Sequence, residues 1–139
     1  MKTKLMHQKW IIKVYKRMKT ISLLLVIGFI SAQDPPEFQF NQSTLQAFYY
    51  FETVAINGID VEGDDWVGAF NGDICVGARQ WDTSQCGGGI CEVPIMGDDG
   101  FYDTAGYCNT GDIPSFKIYD ASENIYYDAI PSEDASWSV

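Results

Sequence analysis

The stretch WVGAFNGDICVGA, residues 66–78, decides the fold class of this chain. Two apolar runs of five residues, 66–70 and 74–78, flank Asn71-Gly72-Asp73, and these three residue types favour a tight turn. Short apolar runs on both sides of such a turn are typical of paired antiparallel strands. We therefore expect a β-hairpin over this stretch.

The flanking sequence repeats this pattern in both directions. Residues 45–56 are dense in aromatic and β-branched side chains and end at Asn57-Gly58, the strongest short-range signal for a two-residue hairpin turn. Residues 92–96, 115–119 and 125–130 match further short strands, and no amphipathic helix pattern follows residue 33. About seven or eight short strands predict an all-β fold, an antiparallel β-sandwich of the Ig-like or jelly-roll-like kind over residues 38–139.

The first 32 residues have the pattern of a secretory signal peptide. Seven of the nine Lys and Arg residues lie in the first nineteen positions, an apolar stretch covers 21–30, and Ser31-Ala32 offers a small-residue cleavage site. A membrane anchor is the alternative, but the apolar stretch is shorter than the roughly 20 residues that span a bilayer. We expect cleavage after Ala32, a linker over 33–37, no membrane insertion of the cleaved chain, and secretion or display at the cell surface.

The chain after residue 32 is strongly acidic. It holds two basic residues, Arg79 and Lys117, against nineteen Asp and Glu, a net charge of −17. Because such a surface repels phosphate groups, we expect neither nucleic acid nor anionic membrane as a partner. The single histidine, His7, lies in the leader, so the cleaved chain has no residue for a Ser-His-Asp triad, a Cys-His dyad or a His-ligated zinc.

Four cysteines follow the leader: Cys75, Cys86, Cys91 and Cys108. An even number in a small exported domain predicts two disulfides. The run Gly87-Gly88-Gly89 lets the chain fold back for a local Cys86–Cys91 bridge, which leaves Cys75 to pair with Cys108. A metal site made of all four is the alternative, although the spacings lack the paired Cys-x2-Cys knuckles of such sites.

Residues 97–112 form an acidic, glycine-rich stretch, which we call the acidic loop, and it is a candidate calcium site. Its candidate ligands are Asp98, Asp99, Asp103 and Asp112. Ca²⁺ takes about 6–8 oxygen ligands in irregular geometry, which suits such a loop, although the spacing does not match an EF-hand. Ordinary turns also require Asp and Gly, so both interpretations stay open. A second acidic group, expected to meet across neighbouring turns, comprises Asp60, Glu62, Asp64, Asp65 and Asp73.

Four residues form a candidate ligand platform. Trp81 and Arg79 lie at the end of a predicted strand, and Tyr102 and Tyr107 lie in the acidic loop. Exposed aromatic rings beside polar groups are the surfaces on which sugar rings stack. The alternative is that Trp66 and Trp81 pack in the core or fix a loop. A pair of carboxylates could also serve a glycosidase, but nineteen acidic residues supply such a pair by chance.

Two stretches, 63–78 and 111–120, resemble a β-sandwich module that is repeated in large secreted and surface proteins of Bacteroidetes-like marine bacteria. Those proteins often carry a C-terminal type IX secretion sorting domain. The resemblance implies a sandwich from Phe38 onward and a place in a larger extracellular protein. This chain holds one module and no sorting domain, and residues 136–139 resemble the start of a strand, so we expect a truncated module.

These observations favour a secreted, non-catalytic surface module that serves adhesion or acts as a spacer. Its expected partners are glycans or other surface proteins, and its one candidate cofactor is Ca²⁺. A carbohydrate-binding module and a glycoside-active enzyme are the alternatives.

Overall fold

Eight β-strands and four short 3₁₀ turns make up the computed structural model, which describes residues 34–139. The strands are β1 (Gln46–Phe51), β2 (Ala55–Ile56), β3 (Ile59–Asp60), β4 (Trp66–Asn71), β5 (Ile74–Gln80), β6 (Cys91–Met96), β7 (Ser115–Asp120) and β8 (Ile125–Ala129). The 3₁₀ turns are Pro36–Phe38, Thr83–Gln85, Gly87–Gly89 and Tyr102–Thr104. All named strand pairs are antiparallel, so the all-β prediction is confirmed. The predicted signal peptide lies outside the described residues.

The larger sheet has four strands in the order β5-β4-β7-β8. The predicted hairpin over 66–78 is its centre: Asn71 pairs with Ile74, and Gly72 takes a φ of 61° at the turn. The register of β4 and β5 shifts between Ala69 and Phe70, which marks a β-bulge. The middle residues of β4 are buried on both faces, because the main core covers one face and the cluster around Phe38 covers the other.

The smaller sheet pairs β1 with β6, and β2 and β3 form a separate hairpin. Asn57 and Gly58 both have positive φ, 53° and 81°, as the predicted two-residue turn requires. Pro94 lies opposite Phe48 in the β1–β6 ladder. The N–H of Gly97 donates to the carbonyl of Leu45 at 2.7 Å, and the alternation of an antiparallel ladder then turns the nitrogen of Pro94 away from β1.

The main core lies between the two sheets. Val67, Phe116 and Ile118 of the larger sheet are buried against Val93 and Ile95 of the smaller one. Phe51 of β1 packs edge-on against Phe116, with ring centroids 5.1 Å apart. This layered burial is the defining feature of a β-sandwich, and the sandwich prediction is confirmed.

A second cluster covers the outer face of the larger sheet. Phe38 is 1% exposed, and its ring lies 5.8 Å from Phe70 and 5.3 Å from Tyr126, edge-on to both. A Cβ at Gly68 would lie 2.8 Å from the Phe38 ring, so only glycine leaves room for it. The described part of the linker predicted over 33–37 includes the start of the 3₁₀ turn Pro36–Phe38, which leads into the buried Phe38.

The sandwich is closed along one side, where β5 lies against β6. A Cβ built on Gly77 would lie only 1.7 Å from the carbonyl oxygen of Pro94, so the two backbones are in direct contact. On the other side, β1 ends the smaller sheet and β8 ends the larger one, and the two strands are not paired. Among the described strands, therefore, the sandwich is open between β1 and β8.

The segment 131–138 is anchored by Trp137, which is 2% exposed. The indole N–H of Trp137 donates to the carbonyl of Ile95 at 3.0 Å. The backbone N–H of Trp137 donates to the backbone carbonyl of Asp112, and the carbonyl of Trp137 accepts from the backbone N–H of Gly111. The segment is thus held both by the core and by the acidic loop.

The cysteine pairing differs in part from the prediction. Cys86 and Cys91 form the predicted disulfide, with their Cα atoms 5.0 Å apart. Cys75 and Cys108 are buried, unbridged thiols, so the second predicted disulfide is wrong. The reason is topological: Cys75 belongs to the cluster around Phe38 on the outer face of the larger sheet, whereas Cys108 belongs to the main core.

Candidate functional site

The acidic loop is held by the side chain of Asp99. Its carboxylate accepts hydrogen bonds from the Thr104 hydroxyl at 2.6 Å, from the Thr44 backbone N–H at 2.9 Å and from the Thr44 hydroxyl at 3.1 Å. These bonds, led by that of Thr104, hold the pKa of Asp99 well below its usual range. Asp99 therefore ties the acidic loop to the segment before β1.

Three further hydrogen bonds fix the loop. Asp98 accepts from the backbone N–H of Gly100 at 3.0 Å, an Asx-type turn within the loop. Asp112 accepts from the N–H of Asn109 at 2.8 Å. The side-chain amide of Asn71, in the β4–β5 turn, donates to the loop carbonyl of Gly106 at 3.1 Å.

The same bonds bear on the calcium prediction. Asp99 and Asp112 accept bonds from groups within the protein, and Asp103 is exposed on the 3₁₀ turn Tyr102–Thr104. Over residues 34–139, no three Asp, Glu, Cys or His side chains are placed together so that they could hold a metal ion. Calcium binding at Asp98, Asp99, Asp103 and Asp112 stays a prediction.

The second acidic group is divided by the fold. Asp65 is 5% exposed, and its carboxylate accepts from the N–H of Glu62 at 2.8 Å and from the N–H of Ala121 at 2.9 Å. Asp73 lies beyond the opposite end of β4, and six residues of extended strand span about 20 Å. The expected meeting of Asp73 with Asp60, Glu62, Asp64 and Asp65 is therefore wrong.

The predicted sugar platform is not assembled. Trp81 is 4% exposed and packs edge-on against Phe51 in the core. Tyr107 is 4% exposed as well, and its hydroxyl accepts from the backbone N–H of Asn41 at 2.7 Å. Arg79 pairs with Glu92. For Trp81 and Tyr107 the prediction of exposed rings is wrong, because both rings fill core positions.

Tyr102 is exposed as predicted, and it has a neighbour that sequence reasoning missed. Tyr102 is 93% exposed and Phe101 is 65% exposed, side by side at the tip of the acidic loop. The N–H of Phe101 donates to Asp99 at 3.4 Å, and its carbonyl accepts from the Thr104 hydroxyl at 3.1 Å. Two large rings are thus presented to solvent on a hydrogen-bonded frame, a geometry suited to contact with another surface.

The two basic side chains of residues 34–139 each lie beside a carboxylate. Arg79 pairs with Glu92 between β5 and β6, and Lys117 lies 3.6 Å from Glu37 and 5.2 Å above the Phe70 ring. Both basic residues of the described segment are therefore engaged. Burial raises the pKa of Cys75, and burial together with the charge of Asp112 raises the pKa of Cys108 to about 11, so neither thiol is activated as a nucleophile.

Within residues 34–139 no helix has the length and apolar character needed to cross a membrane. The Cys86–Cys91 disulfide is of a kind that persists in oxidising surroundings. A comparison of the chain with protein-family models, with curated proteins and with solved structures finds no match.

Proposed function

We propose that this protein is a secreted, non-catalytic adhesion module that contacts its target through the tip of the acidic loop. The observation that carries this proposal is the exposed pair Phe101 and Tyr102 on a loop fixed by Asp99. Aromatic side chains lose little conformational entropy on binding, and a fixed loop reduces the cost further. Such a pair is therefore suited to anchor a surface contact.

Three further observations support the proposal. The leader pattern of residues 1–32 and the Cys86–Cys91 disulfide favour export. The two cations of the described segment and Asp65, Asp99 and Asp112 serve the fold, which supports a binding role over a catalytic one. The resemblance of residues 63–78 and 111–120 to a repeated extracellular module supports a place in a larger surface assembly.

The test uses beads that carry the purified protein, washed over films of agarose, alginate and chitin and over protein-coated glass. A double variant, Phe101→Ser with Tyr102→Ser, should lose bead retention by about tenfold, as expected when interface anchors are removed. The matched control removes two exposed apolar side chains elsewhere, Ile59→Ser with Val139→Ser, and should keep retention. Equal retention by the two double variants, or turnover of a polysaccharide film, contradicts the proposal.

Carbohydrate binding is the second candidate, and the position of Tyr102 favours it. The ring is 93% exposed, and the exposed Asp103 carboxylate follows it in the chain. A sugar ring stacked on Tyr102 would have the Asp103 carboxylate as a nearby acceptor for its hydroxyl groups. A glycan array separates the two candidates: selective glycan binding lost in Tyr102→Ser and kept in Phe101→Ser supports a carbohydrate-binding module.

A further inference from the structure

The open side of the sandwich is a cleft between two unpaired strand edges. One part, of about 860 Å³, runs along β1 and is bounded by the segment 131–138. A second part, of about 440 Å³, continues inward between the β2–β3 hairpin and β8. The two parts share Phe51, Thr53, Pro131 and Ser132, so they lie next to each other on the open side.

The cleft has an apolar floor. Val67, Phe116 and Ile118 of the larger sheet line its inner part, together with Ala129 of β8. Val67, Phe116 and Ile118 are core positions of the larger sheet, at most 6% exposed, so the inner part of the cleft ends on the main core. A further strand beside β1 would lie in the part of the cleft that runs along β1, next to this floor.

Strand β1 has backbone N–H and C=O groups available to pair with such a strand. Because the N–H of Gly97 donates to the carbonyl of Leu45, alternation turns the N–H and C=O groups of Ala47, Tyr49 and Phe51 toward β6. The N–H and C=O groups of Gln46, Phe48 and Tyr50 then point into the cleft, and no other described segment hydrogen-bonds to them.

Free strand edges are usually protected by charged residues, proline or a bulge. The strand β1, with the sequence QAFYYF, contains no proline and no charge, and its ladder with β6 has no register shift. Phe48 is 50% exposed and Tyr50 is 68% exposed on its outer face. An unprotected aromatic edge beside an apolar cleft is the feature that strand addition exploits.

Charge identifies the occupant. Glu52 and Glu133 line the cleft, and none of the described residues that line it is basic. The segment after residue 32 carries a net charge of −17, so a second copy of the chain would be repelled. A strand with apolar inward side chains would match the apolar floor. Basic outward side chains on the same strand would match Glu52 and Glu133.

We propose that the β1 edge binds an extended polypeptide segment of alternating apolar and basic residues, which adds a third strand to the smaller sheet. This inference concerns a surface distinct from the tip of the acidic loop and does not depend on the adhesion proposal. The partner is a protein segment, recognised by backbone pairing along β1 and by charge at Glu52 and Glu133.

The test uses the protein purified from expression of the full chain and a capped nine-residue peptide that alternates valine and lysine. Hydrogen exchange should slow at the amides of Gln46, Phe48 and Tyr50 when the peptide binds. The amides of Ala47 and Phe51 already donate to β6 and should change little. Fluorescence anisotropy should give a Kd that weakens with salt.

Variants separate the two parts of the recognition. Phe48→Pro removes an outward N–H and Phe48→Ala keeps it, so the proline variant should bind about tenfold more weakly than the alanine variant. The double variant Glu52→Gln with Glu133→Gln should weaken binding and flatten its salt dependence. Asp73→Asn, far along the chain in the β4–β5 turn, is the matched charge control and should bind as the parent does.

Several outcomes overturn the proposal. One is equal binding of a peptide that alternates valine and glutamate, or of one that has the valines and lysines in separate blocks. A second is protection of Gln46, Phe48 and Tyr50 without peptide in a dimer measured by analytical ultracentrifugation, since a second copy then fills the edge. The same protection in a peptide-free monomer would assign the edge to another segment of this chain.

Discussion

Replacing Trp137 tests how the segment 131–138, which forms one wall of the cleft, is held. The indole is 2% exposed, contacts Gly97 and donates a hydrogen bond to Ile95. Truncation of a fully buried aromatic side chain to alanine costs about 3–5 kcal/mol, and the loss leaves the Ile95 carbonyl without this donor. We therefore expect Trp137→Ala to lower the free energy of unfolding by about 4–5 kcal/mol.

A second substitution divides this cost into packing and hydrogen bonding. Trp137→Phe keeps an aromatic ring in the site and removes the N–H, so its cost should be about 1–2 kcal/mol. In a domain of roughly 100 residues, 1 kcal/mol shifts the melting temperature by about 4 °C or more, so the alanine variant should melt at least about 15 °C lower. Both values are measured by calorimetry and by urea unfolding.

The control for this experiment is Ile130→Ala. Ile130 is 95% exposed and immediately precedes this segment, and its replacement should change stability by less than about 0.5 kcal/mol. A loss below about 1 kcal/mol in Trp137→Ala would refute the placement of the indole in the core. Equal losses in the alanine and phenylalanine variants would refute the division into packing and hydrogen bonding.

Four further predictions address the loop, the thiols, the core and the metal. The pKa of Asp99 is depressed in the folded state, so its contribution to stability is complete above about pH 4 and is lost at lower pH. The acid-induced fall in melting temperature should therefore be smaller in Asp99→Asn than in the parent. The control variant Asp73→Asn should follow the parent. Mass spectrometry after alkylation should find two labelled thiols in the unfolded protein and almost no labelled thiol in the native protein at pH 8. The reason is that burial protects Cys75 and Cys108 and raises the pKa of Cys108 to about 11. Two disulfides, or rapid labelling of the native protein, would contradict this prediction. Gly77→Ala should cost about 1–3 kcal/mol or more because its Cβ overlaps the backbone of β6, whereas Gly87→Ala, with open space around it, should be near neutral in urea unfolding. The calcium prediction requires a melting temperature that rises with millimolar Ca²⁺ and falls with a chelator, and an unchanged value would remove it.

Local patterns predicted the strands and their turns well. Asn57, Gly58 and Gly72 take positive φ at tight turns, a conformation that Asn and Gly adopt more readily than other residues. Short apolar runs between turn residues placed the central hairpin strands, which are buried along most of their length.

Long-range placement could not be predicted from the sequence. An aromatic residue beside a polar one fits a core position as well as a binding platform, and only the packing of distant strands places Trp81 and Tyr107 inside. Cys75 is likewise a free thiol because β5 places it on the outer face of the larger sheet, away from Cys108 in the main core. The roles of Thr44 and Thr104 depend on contacts with Asp99 that are 55 and 5 residues apart in the chain.

The structure of the protein bound to the alternating valine–lysine peptide, solved by crystallography or NMR, tests most directly whether the open side of the sandwich is a binding site. We predict that the peptide lies between β1 and β8 and exchanges backbone hydrogen bonds with Gln46, Phe48 and Tyr50. A peptide bound at the acidic loop, or a cleft filled by another part of the same chain, would contradict this account.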